Sequence, residues 1–421
     1  MSVLIPIYTP AELEVLSPVV RQLPDDSRVI MVGDPQYRVL ERWSGTANSR
    51  VVATPIGCTP YDAREFLRDN DVSLVITAHD AYWINVLFLL AAKKLGIASV
   101  YVPHGALSAA RGKTAALKLI LAHAKAGIFT YGARYVASGC LWEAAKIWLQ
   151  KFFTDRSISR LWDVACVAGP ASKALFLKSG IPEDAIVVTG QPRYDSMISS
   201  GTRHNKASLL ERFGLDTNAP VVVVATQPFV EDGLWTAGQR AHFFEHVVAA
   251  VHDAGGQLLI KLHPRETSAA VYRSILSRLG STSVPIVNGE VDLATLLTAC
   301  DAVLTVRSTI GLEAMILGVP IIAFESEGLS SQTDELDYVK YGAAVGVYGA
   351  DELAAAIASV LYDTETRIRL AEASRCYVYD HSYLQDGRAG ARVAHVIASR
   401  LEGQARNKSE RIDRSSDAQL R

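Results

Sequence analysis

An imidazole at the end of an apolar run is the first feature of this chain that could do chemistry. Gln257 to Leu262 has the composition of a buried strand, and Lys261-Leu-His-Pro-Arg-Glu266 closes it with His263. Pro264 restricts the backbone there, so the ring projects out of the sheet. A histidine so placed can donate a hydrogen bond to a phosphate and stabilise, or protonate, a departing group. Arg265 could add charge to the same site; Lys261 could do so or simply face solvent. A second stretch, Ala299 to Phe324, reads as strand, tight loop, helix, turn and strand. Its loop brings the guanidinium of Arg307 and the hydroxyls of Ser308 and Thr309 to a helix start, whose free N–H groups also favour an anion. Glu313 falls one turn in, where a carboxylate can accept hydrogen bonds from ribose hydroxyls. A plain capped helix would use the same residue types; the histidine in the same half of the chain favours the phosphate-site reading.

The elements that would carry these residues alternate. Val3 to Ile7, Arg28 to Val32, Val51 to Thr54, Ser73 to Ala78 and Ser99 to Val102 read as short parallel strands, with amphipathic pieces such as Tyr61 to Asp69 and Ala81 to Leu95 between them. That is the pattern of an α/β doubly wound sheet, whose ligands sit beyond the carboxyl ends of the strands. Two of those ends are polar, at His79-Asp80 and at Pro103-His104-Gly105. Residues 1–196 are expected to form a first Rossmann-like domain, 197–217 a hinge and 218–385 a second such domain. A C-terminal helix at 386–402 and a polar, disordered tail at 403–421 would follow.

Within the first domain, residues 111–160 break the alternation. Arg111, Lys113, Lys118, Lys125, Arg134, Lys146, Lys151, Arg156 and Arg160 stand there against Glu143 and Asp155 only, interleaved with aromatics such as Trp142, Trp148 and Phe152. This surplus is expected to lie on an anionic membrane surface, the alternative being packed helices with solvated lysines.

At 421 residues with a net charge of −2, the chain has room for two domains and no global bias toward nucleic acid. Its five cysteines lack metal-ligand spacing and read as reduced, buried thiols of a cytoplasmic protein. The N-terminus reads as a first strand and not a signal peptide, and no apolar run is long enough to span a bilayer.

Two such domains carrying Val188-Thr-Gly-Gln-Pro-Arg-Tyr-Asp195, Lys261-Leu-His-Pro-Arg265, Arg307-Ser-Thr-Ile-Gly-Leu-Glu-Ala314, Gly318-Val-Pro320 and Asp386-Gly387 resemble the GT-B glycosyltransferases, whose domains face a cleft. Within that fold the combination is similar to bacterial capsule and envelope polysaccharide enzymes, namely CMP-Kdo and CMP-sialic acid transferases and CDP-glycerol glycerophosphotransferases. The resemblance implies a nucleotide-sugar donor, CMP-linked, and a glycan or lipid-linked acceptor. It also implies work at the inner-membrane surface, with no nucleic acid, cofactor or metal, and no strand-flanked Asp-x-Asp is present. His263, Arg265, Arg307, Ser308, Thr309 and Glu313 would hold the donor. An inverting transfer needs a base on the first domain. His104, followed by a glycine that admits substrate, is the first candidate. Asp80 is the second, although a carboxylate there could instead cap the next helix. Glu231-Asp232-Gly233 matches the letters of a sialyltransferase base motif but falls in the other domain. UDP-N-acetylglucosamine 2-epimerases share the fold, yet their Arg-x-x-Thr-Glu-Arg-Pro-Glu segment is replaced here by Phe324-Glu-Ser-Glu-Gly-Leu329. A non-catalytic nucleotide-binding scaffold is the remaining alternative.

Overall fold

A computed structural model describes the chain except for residues 34–38, 43–48, 54–59, 81, 105–160, 201–205, 267, 307, 326–337 and 403–421. The expected membrane-binding segment, residues 201–205 of the expected hinge, Arg307 and the expected tail lie outside the described residues. Two compact units are present: Met1–Asp195 together with the chain from His381 on, and Ser196–Asp380.

The first unit is built on seven parallel strands in the order β3-β2-β1-β4-β5-β6-β7. These are β1 (Ser2–Ile7), β2 (Arg28–Gly33), β3 (Ser49–Ala53), β4 (Leu74–Thr77), β5 (Ala98–Tyr101), β6 (Val164–Val167) and β7 (Ile186–Val188). The second has six parallel strands in the order β10-β9-β8-β11-β12-β13. They are β8 (Val221–Ala225), β9 (Gln257–Lys261), β10 (Ile286–Val287), β11 (Ala302–Thr305), β12 (Ile321–Phe324) and β13 (Val345–Val347). The α/β, doubly wound class is as expected. Helices cover both faces of each sheet, so strands read as unbroken apolar runs. Val3, Ile5 and Ile7 of β1 enter one core and Leu4 the other; in β8, Val222 and Val224 oppose Val221 and Val223. The strands β10 and β13 are too short to leave a sequence pattern.

In both sheets the strand order reverses beside the first strand, between β1 and β4 and between β8 and β11. The chain leaves the two neighbouring strands toward opposite faces there, the place where sheets of this kind bind ligands.

The C-terminal helix, residues 389–402, returns to the first unit, where Val393 and Ile397 are buried against β1. Its start is held by a carboxylate far away in sequence. Asp195 accepts the N–H groups of Ala389 (3.0 Å) and Gly390 (2.7 Å), filling donors that a helix start leaves free. Arg392 donates through Nε to the Thr189 carbonyl (2.6 Å) and forks onto Asp386. Gly390 allows this contact, because a Cβ there would lie 2.9 Å from the Pro18 carbonyl oxygen. The stretches 188–195 and 386–387 thus clamp the two points where the chain passes from one unit to the other. Asp195→Ala should cost ~1–2 kcal/mol in denaturant unfolding through loss of this cap; an unchanged midpoint would show that the clamp contributes nothing.

Candidate functional site

In the second unit, the ends of β8 and β9 are tied by one buried carboxylate. Glu266 is 7% exposed. Its Oε1 accepts the Tyr272 hydroxyl (2.5 Å), and its Oε2 accepts the Thr226 hydroxyl and the N–H of His263 (3.2 Å). The His263 N–H is shared with Thr226 Oγ1 at 2.8 Å. The backbone under the imidazole is therefore fixed from below. The ring is fixed from the side: the Arg265 N–H donates to Nδ1 (3.1 Å), so the neutral ring carries its hydrogen on Nε2. Burial, then the Arg265 and Lys261 charges, hold the His263 pKa below its ordinary value, and the ring is neutral at pH 7. It can donate one hydrogen bond from Nε2 to an anion.

Neighbouring residues depart from their expected roles. Arg265 forks onto Asp232 at 3.0 and 2.6 Å, so its planar donors are engaged by a carboxylate. Asp232 is held below the ordinary carboxylate range by that guanidinium, and Glu231 by its bond from Arg240. Both acids are ionised and paired, which disfavours the base role that their letters suggested. Lys261 is half-buried; burial lowers its pKa against the opposing charges of Glu313 and Glu266. Glu313 is only 3% exposed, so the carboxylate faces the interior at the helix start rather than standing open for a ribose.

Ser308 and Thr309 follow β11 and precede the short helix Ile310–Ile316. Of the two hydroxyls expected at the helix start, Thr309 makes no capping hydrogen bond, whereas Ser308 Oγ accepts the Ile310 N–H at 3.5 Å. The loop is also held by Tyr338, whose hydroxyl donates to the Ser308 carbonyl (2.7 Å). Gly311 makes this possible, since a Cβ there would meet the Tyr338 ring at 2.5 Å. That packing is the physical reason for the glycine in Ser-Thr-x-Gly. Lys261 and Thr305 lie level across β8, so His263 and Ser308 emerge from strands roughly 10 Å apart, two strand spacings.

In the first unit, His79 and Asp80 follow β4, and His104 follows β5. His79 stacks on His104 with ring centroids 5.2 Å apart and on Tyr82 at 3.8 Å; Tyr82 in turn meets Tyr8 at 4.4 Å. The His104 N–H donates to the Ala78 carbonyl (3.2 Å), joining the two loops. His104 Nε2 and Gln191 Oε1 have no hydrogen-bond partner among the described residues. The Gln191 amide nitrogen is anchored on the Pro103 carbonyl (2.9 Å). Burial, with the Arg193 charge, lowers the His104 pKa, so this ring too is neutral and able to accept a proton. Asp80 is 5% exposed, and its charge bears on the Tyr101 phenol. It does not start the helix Trp83–Leu95, whose first cap is Tyr82.

Sequence reasoning named His263, His104, Asp80, Ser308 and Thr309 but missed Glu266, Tyr272, Glu12 and the pairing role of His79. The spacing His263-x-x-Glu266 was a signal, because three residues suffice for a side chain to turn back onto a strand end. Among the described residues, no group of His, Cys, Asp and Glu could hold a metal ion, and no helix is long and apolar enough to cross a membrane. Cys166 and Cys300 are buried, their thiols pushed up to about 12, whereas Cys376 is exposed and not the buried thiol expected.

A family model described as capsule polysaccharide biosynthesis protein matches residues 193–355, the stretch that holds β8 to β13 and His263. A lipid-A-disaccharide synthase of Geobacter metallireducens is 24% identical over 265 residues, covering 60% of this chain and 63% of that protein. The match thus spans less than two thirds of the relative's length. The UDP-GlcNAc 2-epimerase of Neisseria meningitidis bound to UDP-GlcNAc aligns at a TM-score of 0.61 with 16% identity, over 95% of this chain and 100% of that one. HepE of Anabaena in complex with UDP-glucose aligns at 0.56 with 15% identity, over 95% and 100%. At such identities the structural likeness is one of fold. The chain has the GT-B fold, and its resemblance to GT-B enzymes of capsule and envelope polysaccharide synthesis is borne out.

Two stability tests follow from the buried carboxylates. Tyr272→Phe should cost ~1–3 kcal/mol, because Glu266 Oε1 would be left buried without its donor; unfolding at the wild-type midpoint would remove Glu266 from its hub position. Burial raises the Glu12 pKa from 4.5 to about 7, so the folded state binds that proton more tightly than the unfolded chain. Its stabilisation is full below pH 4.5 and is lost as pH rises through about 7. Glu12→Gln should flatten that slope, and an unaltered slope would assign it to another group.

Proposed function

We propose that this protein is a GT-B glycosyltransferase of envelope polysaccharide synthesis. It moves a sugar, an acidic one such as Kdo or sialic acid, from a CMP-linked donor onto a glycan or lipid-linked acceptor. The observation that carries the reading is the His263 imidazole, held by Glu266, Thr226 and the Arg265 N–H so that a neutral ring presents one N–H donor at the carboxyl edge of the second sheet. A preorganised donor at that edge stabilises the charge that develops on a leaving nucleotide phosphate, without reorganisation at the moment of bond breaking. Ser308 and Thr309 would add contacts from the next strand end but one, with Arg307 beside them.

On the first unit, His104 is the base of this reading. Its pKa lies below the ordinary histidine value, so it is unprotonated at neutral pH and can take the proton of an attacking hydroxyl. Asp80 is the alternate base. Arg265 orders the Asp232 loop in this scheme, and contact with the phosphate would require it to leave that carboxylate. Association with the inner-membrane surface through the basic stretch 111–160 belongs to the same proposal, as does a mechanism that inverts the sugar and needs no metal. Transfer of glycerol phosphate from CDP-glycerol would use the same phosphate contacts.

Thermal-shift measurements against CMP, CDP, UDP and their sugars test the donor, because a ligand that binds only the folded form raises the melting temperature. CMP or CMP-sugars should give the largest shift. His263→Ala should lose ~100-fold or more of turnover at unchanged melting temperature, and His104→Ala a comparable amount. Near-wild-type turnover in His263→Ala would remove the phosphate assignment. Conversion of UDP-GlcNAc without any acceptor would replace transfer by epimerisation.

A further inference from the structure

Glu12 lies fully buried at the carboxyl edge of the first sheet, on the helix that follows β1. Its Oε2 accepts the N–H groups of Tyr8 (2.7 Å) and Thr9 (2.8 Å), and its Oε1 accepts Asn85 Nδ2 (2.7 Å). Asn85 Nδ2 also donates to Thr77 Oγ1 (2.7 Å), and that hydroxyl donates onward to the His79 carbonyl (2.6 Å). His79 stacks on His104. A chain of hydrogen bonds therefore runs from a buried carboxyl to the loop that carries one ring of the histidine pair.

One atom in this chain is idle. Asn85 Oδ1 is buried and has no hydrogen-bond partner among the described residues. The amide nitrogen is shared among three acceptors, the Pro6 carbonyl (3.2 Å) being the third, while the oxygen serves no donor, so those acceptors orient the amide. An ionised Glu12 can only accept, so it draws the amide nitrogen toward itself. A protonated Glu12 has an O–H to donate, and the fitting acceptor is the idle amide oxygen. Turning the amide over satisfies that O–H but removes the nitrogen from Thr77 and, at the longer of its contacts, from the Pro6 carbonyl. The Thr77 hydroxyl then turns to the amide oxygen, and the His79 carbonyl loses its donor.

We propose that Glu12 is a positioning residue for the His79–His104 pair: its ionised carboxylate fixes the Asn85 amide and, through Thr77, the His79 loop, and protonation releases that loop. The consequence for catalysis rests on the transferase reading, in which His104 is the base. Burial, opposed by the bonds from Tyr8, Thr9 and Asn85, brings the Glu12 carboxyl up to about 7, so both forms are populated near neutrality. Above that pH the pair is held, and below it the pair is loosened. The other titratable groups at this edge are Asp80 on the loop after β4, Tyr101 on β5, the two histidines and Arg193. The Tyr101 phenol is raised by burial and by both carboxyls and stays neutral throughout, and Arg193 acts on His104.

The test is a titration of the full chain labelled with 13C-histidine, followed from about pH 5 to about pH 9 by the ring resonances. His79→Gln and His104→Gln assign the signals. In the wild type, the His79 and His104 signals should show an added inflection near pH 7, apart from each ring's own titration. Glu12→Gln should abolish it. Thr77→Val should abolish it with Glu12 intact, and Thr77→Ser should restore it. Wild-type curves in Thr77→Val, or in a folded Glu12→Gln, would overturn the proposal and leave Glu12 as a helix cap, which lowers the melting temperature without moving ring titrations. The measurement needs no donor or acceptor. Its failure is thus distinct from failure of the transferase reading, which the nucleotide thermal shifts decide.

Discussion

A carboxylate can stay inside a protein only where its lone pairs are filled by donors that would otherwise go unsatisfied themselves. Both sheets use this constraint at the same place. Beside β1, Glu12 collects the backbone N–H groups of Tyr8 and Thr9 and the amide of Asn85. Beside β8 and β9, Glu266 collects the His263 N–H and the hydroxyls of Thr226 and Tyr272. In each case the backbone donors come from the segment just past a strand end, where the sheet's own hydrogen bonding stops, and a helix side chain, Asn85 or Tyr272, completes the set. The buried acid continues the ladder by one step, and the side chain that rides on that step is a histidine or its neighbour.

Electrostatics then separates the two edges. At the second unit's edge the acids near His263 are paired, Asp232 with Arg265 and Glu231 with Arg240, and the imidazole keeps a single outward donor. At the first unit's edge the rings of His79 and His104 are stacked, and the buried Glu12 carboxyl reaches their loop through Asn85 and Thr77. A neutral donor suits a departing phosphate, whereas a neutral acceptor suits a hydroxyl losing its proton. Burial lowers the pKa of each ring, so the same residue type suits both proposed roles. On both rings the nitrogen left open is Nε2; in the proposed roles it gives a hydrogen on His263 and takes one on His104.

Much of the scaffold was legible from composition alone. Strands buried on both faces are unbroken apolar runs, and β1, β2, β4, β5, β9, β11 and β12 stood where those runs are, within a residue or two. His263 was visible because it closes such a run in the same half of the chain as Ser308, Thr309 and Glu313. The helix Pro10–Val20 and the strands β10 and β13 were not singled out, the strands being too short to show a period. Arg265 and Glu313 were placed at the phosphate by residue type, and the fold gives each a nearer partner or a buried position.

The amino-acid order by itself determined the alternation of strand and helix, the two-sheet architecture and the polar punctuation at strand ends, because these follow from local periodicity and backbone preference. Only the tertiary structure decided which strand ends are neighbours. The order β3-β2-β1-β4-β5 puts the ends of β1 and β4 side by side, and so joins Glu12 to Asn85 across 73 positions of sequence. The return of the last helix does the same for Asp195 and Ala389, 194 positions apart. Such pairings depend on how sheets twist and pack, and no window of the chain contains both partners.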